Sequence, residues 1–270
     1  MVPPADDDLE LLVRLGASVH RVVREWARAP RRSEVVGMGA DGSPTEALDR
    51  LAEAEILLQL DREGVDWNLL SEERGYVPRG GRRTLVADPI DGSLNALGGF
   101  APATVSLALG EDRLGGIDVG LVHDLFRGTT YWAIRGRGAF RDGERLAPRP
   151  YRPGHDLLCA GLGSHATQDV QGRAAAARRV RSLGCASMEI LAVAEGYADG
   201  YLFAHREPSQ NLRVTDIAAA YRILLEAGGG ASAVDGSSLE EVPLGLQRRV
   251  SLAAWGDPAY REFLLGTRRG

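Results

Sequence analysis

The chain contains no lysine. All 32 of its basic residues are arginine, which rules out a lysine-bearing phosphate loop of the Walker type and Schiff-base chemistry on a lysine amine. Anionic ligands must be met by arginine, backbone amides or metal ions. Cysteine is nearly as scarce. Cys159 and Cys185 are the two present, without CxxC spacing, so buried thiols are expected rather than a disulfide framework or a zinc site. No stretch approaches the ~20 consecutive apolar residues that cross a bilayer. The opening "MVPPADDDLE" has acids where a secretory leader carries basic residues, so the chain is read as cytoplasmic, with no membrane partner. A basic excess is missing too: the formal net charge is −5, which argues against nucleic acid as a partner.

What is present is an ordinary globular composition, 44% hydrophobic and 26% charged over 270 residues, enough for one large domain or two lobes sharing a core. Residues 8–28 place Leu12, Leu15, Val19, Val22, Val23 and Trp26 at helical spacing, with Asp6 to Asp8 complementing the helix N-terminus. Ser43-Pro44-Thr45-Glu46 reads as a capping box with proline at the first helical position, opening a helix to about Arg62. The glycine-rich residues 37–42 before it read as a mobile loop. From residue 67 short strands dominate, and Asp142-Gly143 is a two-residue hairpin signal. The stretch "APRPYRPGHD", residues 147–156, is the natural lobe boundary, dividing the chain into 1–149 and 150–270. Beyond it a strand (157–161), a helix (187–198), a strand (200–205) and a helix (216–227) are expected. This order points to a layered α+β or α/β architecture.

The chemistry concentrates in "LVADPIDGSLNA", residues 85–96. Proline keeps Asp88 extended at the strand end and offers no amide hydrogen of its own. A tight turn there aims Asp88, Asp91 and the Ile90 carbonyl into one pocket, while Gly92 allows close backbone approach. Two hard carboxylates, a carbonyl and the amides of Gly92 and Ser93 make a Mg²⁺–phosphate site. Taken alone, the two acids read equally as turn residues bonded to their own backbone. More acids lie at the right kind of place. "NLLSEERG" ends an apolar strand with Glu72 and Glu73, although a solvated loop would also explain them. "RVTDIAAAYRILLEAGGG" sets Asp216 at the head of a helix, although an N-cap role would explain it. The five histidines show no ligand spacing, and His20 reads as a helix-face residue.

Taken together, "GADGSPT", "LLSEERG", "ADPIDGSLN" and "TDIAAAYRILLEAGG" occur in an order that resembles the inositol monophosphatase superfamily, in particular its archaeal branch acting on inositol phosphates and fructose 1,6-bisphosphate. "AIRGRGAFRDGERL" is similar to the family's hairpin before the lobe boundary, so the resemblance covers nearly the whole chain.

The resemblance implies a five-layer αβαβα sandwich with the site between two lobes, the first bearing the mobile loop and most ligands. It implies two or three Mg²⁺ ions held by Glu72, Asp88, Asp91, Asp216 and the Ile90 carbonyl, with a third, weaker ion near Glu72. It implies hydrolysis of a small polyol or sugar phosphate by direct attack of a metal-activated water, without a covalent phosphoenzyme, and a homodimeric assembly. Ser93 stands where the family usually has threonine. Its hydroxyl is expected to bond Asp41 and help activate the water, with Glu72 also in the catalytic set. Ala40 replaces a lysine common in relatives. Gly92 and Ser93 match the phosphate-binding turn, and Arg181 and Arg206 are the arginines that the resemblance brings to the substrate. A nucleotide-directed phosphatase, acting on 3′-phosphoadenosine 5′-phosphate or NADP, is the alternative within the class. A catalytically impaired, metal-linked sugar-phosphate binder is the alternative outside it.

Overall fold

In a computed structural model, residues 4–27, 35–38, 40 and 44–266 are described. Helix α1 (Pro4–Ala27) opens the chain, and a short antiparallel pair, β1 (Val35–Met38) and β2 (Pro44–Glu46), follows it. Helix α2 (Ala47–Glu63) comes next, then β3 (Asn68–Ser71), β4 (Gly75–Val77), β5 (Thr84–Asp91) and the single-turn α3 (Ser93–Gly98). Strands β6 (Thr104–Gly110), β7 (Ile117–Asp124), β8 (Thr130–Ile134), β9 (Gly138–Arg141) and β10 (Glu144–Arg145) complete one sheet. The second half of the chain runs β11 (Leu157–Ala160), α4 (Gln168–Ala176), β12 (Arg179–Arg181), α5 (Ala186–Ala194), β13 (Gly200–Phe203), α6 (Val214–Ala227), β14 (Gly230–Ser232), β15 (Leu252–Trp255) and α7 (Pro258–Leu265).

The capping box expected at Ser43–Glu46 does not form. Pro44–Glu46 pairs with β1 instead, and α2 begins at Ala47 with no side-chain cap on Glu46. Strand pairing across the loop has overridden a local helix signal, and Ser43 lies outside the described residues. The Asp142-Gly143 turn does form. Both residues have positive φ, 47° and 89°, as a type I′ hairpin turn between β9 and β10 requires.

The central strands are buried on both faces, and alternate residues join different cores, which sorts the elements into layers. The eight-stranded sheet has the order β10-β9-β8-β7-β6-β5-β3-β4, and the five-stranded sheet the order β12-β11-β13-β15-β14. Leu69, Leu85, Leu107 and Leu121 on one face of the larger sheet pack on Leu12, Leu15 and Val19 of α1 and on Ala52, Ile56 and Leu60 of α2. Leu70, Val86, Ala108 and Val122, one residue out of phase, face the other way onto α5 and α6. Those two helices also meet Cys159, Tyr201 and Ala254 of the smaller sheet. Its outer face, with Leu158, Leu202 and Ala253, packs on Val170 of α4 and on Tyr260 and Leu264 of α7. The result is the αβαβα five-layer order. A period of two in the strands feeds both faces of each sheet, and each fully buried leucine contributes about 1.5–3 kcal/mol.

Candidate active site

The cleft lies where β3, β5, α3, α5 and α6 converge, with a volume of about 630 Å³. Strand β5 carries two of its acids. Asp88 pairs with Ser106 of β6 and Asp91 with Thr104, so the register slips by one residue between them. Pro89 has no N–H to give the ladder, and the chain bulges there. The Ile90 amide folds back to donate to Asp88 Oδ1 at 3.0 Å. Gly92 then turns the chain with φ of 86°. A Cβ at Gly92 would meet the Pro102 carbonyl oxygen at 3.0 Å and the Cys185 side chain at 3.2 Å, so only glycine fits.

Asp88, Glu72 at the end of β3 and Asp216 in the first turn of α6 each offer an oxygen, and these atoms all lie within 4.8 Å of one another. Asp216 has a local task as well. Helix α6 starts at Val214 rather than at Asp216, and Asp216 Oδ2 accepts the Arg213 backbone N–H at 2.8 Å. The capping role and membership of the cluster therefore coexist. Burial, followed by Glu72, Asp91 and Asp216, pushes the Asp88 carboxyl well above its usual range. Burial, followed by Asp216, does the same to Glu72. Such crowding of like charge is costly until a cation compensates it. The donors are hard carboxylate oxygens with no imidazole or thiolate among them, a set that fits Mg²⁺.

Asp91 faces the same cleft but stands outside that trio. Its carboxylate receives the Ser187 amide at 2.7 Å, the Ser187 hydroxyl at 2.6 Å and the Ala186 amide at 3.2 Å, all from the first turn of α5. The Cys185 thiol lies 3.3 Å from the same carboxylate. Burial nonetheless outweighs these donors, and the Asp91 pKa is pushed up to about 6.

The Ser93 hydroxyl lies 2.8 Å from the Ile90 carbonyl and 3.1 Å from Asp49 Oδ1. Asp49 is thus a partner of Ser93 that the sequence reading did not name, while the expected partner, Asp41, lies outside the described residues. Asp49 sits on the buried face of α2 beside Ala52, Ile56 and Leu60. Burial pushes its pKa up to about 6, against the pull of the Ser93 hydrogen bond. An acid on an apolar helical stripe was the signal in the sequence that would have found it. Its neighbour Glu53, also buried, takes the Ser71 hydroxyl and, at 3.0 Å, the Arg74 guanidinium, tying α2 to the turn that carries Glu72. The Ala40 amide donates to the Glu73 carbonyl at 2.9 Å, which brings residue 40 to that same turn.

The two arginines assigned to substrate do not line the cleft. Arg181 is exposed on β12 and donates to its neighbour's carbonyl, and exposed Arg206 donates to the Ala166 carbonyl at 2.9 Å. Each has a backbone acceptor outside the cleft, Arg181 on the edge strand β12 and Arg206 just beyond β13. Arg213 is the arginine that lines the cleft, 3.2 Å from Glu72. Leu94 and Leu97 of α3, with Leu162 and Phe203 from the smaller sheet's side, add apolar surface to the lining.

A model of the inositol monophosphatase family matches residues 6–269 of the chain. A Methanothermobacter thermautotrophicus protein named fructose-1,6-bisphosphatase/inositol-1-monophosphatase is 30% identical, with 94% of each chain covered. A protein of the same name from Archaeoglobus fulgidus is 32% identical, covering 96% of this chain and 97% of its own. The solved structure of an inositol monophosphatase–fructose 1,6-bisphosphatase matches with a TM-score of 0.84 over 96% of this chain and 98% of its own. At 23% identity that last likeness speaks to the fold alone.

Proposed function

The chain belongs to the inositol monophosphatase family, and from that premise we propose that it is a Mg²⁺-dependent hydrolase of a small polyol or sugar phosphate, inositol monophosphate or fructose 1,6-bisphosphate being the first candidates. Membership makes it a phosphoric monoester hydrolase; the ion, the substrate and the residue roles are our reading. The observation that carries it is the meeting of Glu72, Asp88 and Asp216 within 4.8 Å in one cleft with Asp91 and Ser93.

In this reading Glu72, Asp88, Asp216, Asp91 and the Ile90 carbonyl hold the metal. When bound, Mg²⁺ acidifies a water and neutralises charge on the leaving oxygen. The chain's own residues do the rest. Ser93 Oγ would take a proton from the water as its own proton passes to Asp49 Oδ1, 3.1 Å away, a carboxylate whose pKa, pushed up to about 6, suits it to hold a proton near neutrality. The amides of Gly92 and Ser93 orient the phosphoryl oxygens where charge grows during transfer. Ser187 and the Ala186 amide keep Asp91 in one orientation. No nucleophilic side chain is needed.

Among the described residues no helix is long and apolar enough to cross a membrane. A cytoplasmic homodimer is our family-based expectation, to be tested by light scattering. The apolar lining residues Leu94, Leu97, Leu162 and Phe203 favour a second reading, a phosphate ester carrying a flat uncharged group, as a nucleotide does. Phosphate release from inositol 1-phosphate, fructose 1,6-bisphosphate, 3′-phosphoadenosine 5′-phosphate and NADP, each with Mg²⁺ and with EDTA, decides between them. Silence on all four in Mg²⁺ would sink the proposal.

A further inference from the structure

The acid cluster has a cationic side chain built into it. Arg213 immediately precedes α6, with its Nη1 at 3.2 Å from Glu72 Oε2 and 3.7 Å from Asp216 Oδ1. Its backbone N–H holds the other oxygen of Asp216 at 2.8 Å. The side chains of Arg213, Glu72 and Asp216 are only 20%, 14% and 11% exposed, so solvent screens the contact weakly. Guanidinium stays charged at any working pH. A divalent cation entering between Glu72, Asp88 and Asp216 would draw on two carboxylates that this group already contacts and would lie beside a like charge.

Two consequences follow from electrostatics alone. Without metal, Arg213 offsets part of the repulsion among three buried acids and keeps two of them in place. With metal, the same charge opposes binding, because a unit charge at this range shifts an ionic equilibrium by about one to three powers of ten.

On the reading of this cluster as a metal site, we infer that Arg213 is its internal counter-ion, steadying Glu72 and Asp216 in the metal-free protein and lowering the affinity for divalent cations. An arginine that served only to orient Glu72 for the ion would have the opposite effect on affinity, so the sign of the change decides.

The test is calorimetric titration of the EDTA-stripped full chain with MgCl₂ alone, beside thermal melts in EDTA, for the wild type, Arg213→Gln and Arg213→Lys. Arg213→Gln is expected to bind Mg²⁺ about tenfold or more tightly than the wild type and to melt at a lower temperature in EDTA. Arg213→Lys, which keeps the charge, should bind more weakly than Arg213→Gln. Should the glutamine variant fail to fold, Arg213→Met removes the charge while filling the volume. Equal or weaker Mg²⁺ binding by the neutral variants overturns the inference while leaving the metal site standing. Failure of the wild type itself to bind Mg²⁺ overturns the metal-site reading, and the inference with it.

Discussion

Ser187 holds one carboxylate oxygen of Asp91 twice, through its amide at 2.7 Å and its hydroxyl at 2.6 Å. Behind it, the Thr104 hydroxyl lies 2.7 Å from the Ser187 hydroxyl, and Thr104 is the β6 partner of Asp91 in the sheet. A closed chain of contacts thus joins the end of β5, its neighbouring strand and the start of α5. It immobilises an acid that the bulge would otherwise leave free to turn.

Replacing Ser187 by alanine removes one donor to Asp91 and leaves the buried Thr104 hydroxyl only the Cys185 thiol, 3.7 Å away. Stability should fall by about 1–3 kcal/mol, and activity or Mg²⁺ affinity by about 10–100-fold, the usual cost of losing a partner that orients a metal-binding acid. Urea denaturation and steady-state kinetics check the two numbers. A variant with unchanged kinetics would show that Asp91 needs no such support.

Asp88→Asn should separate stability from turnover. The change removes a charge from a group that burial and its acidic neighbours already push well above the usual carboxylate range. In EDTA the variant is therefore expected to melt at or above the wild-type temperature. Its Mg²⁺-dependent phosphate release should be lost. In the wild type, Mg²⁺ at a hundred times its Kd should add about 2.7 kcal/mol, and in the variant that gain should shrink. A variant that keeps both turnover and the metal-induced gain would remove Asp88 from the site.

Ser93→Ala and Asp49→Asn each break the same hydroxyl–carboxylate contact, 3.1 Å long. Each should lower kcat by about 10²-fold, the lower end for a positioned proton carrier, and the double variant should fall little further because the pair acts as one unit. Ser93→Thr should stay active. Losses that multiply in the double variant would mean that the two residues act separately.

Acid should loosen the contact between α1 and β7. His20 Nδ1 lies 2.8 Å from His123 Nε2, and His123 Nδ1 lies 2.9 Å from the Thr130 hydroxyl. Burial lowers both imidazole pKa values; Arg24 lowers His20 further, His20 lowers His123 further, and Asp124 pulls both back in part. With folded values below the unfolded 6.5, the unfolded chain takes up protons first. The pair's contribution to stability should therefore be intact above that pH and decline as pH falls below it. Asp49 and Asp91, whose pKa is pushed up to about 6, act in the opposite sense over the same range, so the pair is read from the difference between wild-type and His20→Gln melts, which should shrink from pH 7.5 to 5. A difference that does not change with pH would place any acid effect elsewhere.

Much of this protein is written locally. The strand run into Asp88-Pro-Ile-Asp91, the glycine that follows, the hairpin at Asp142-Gly143 and the apolar stripe of α1 are short-range patterns. Each depends on a residue's own backbone preference or on spacing within one element. For this reason the layered architecture and the acids of β3, β5 and α6 were legible in the sequence, with help from the order of the motifs.

Tertiary structure decided what depends on partners far along the chain. Pro44–Glu46 has a capping pattern, yet pairing with β1 won. Asp49 is one more helical acid until α2 packs on the larger sheet and sets it 3.1 Å from the Ser93 hydroxyl. Arg181 and Arg206 look ready for an anion but find backbone acceptors first, while Arg213, in an ordinary-looking segment, is drawn to Glu72, far earlier in the chain. A side chain's charge is a property of the residue, but the charge it meets belongs to the fold.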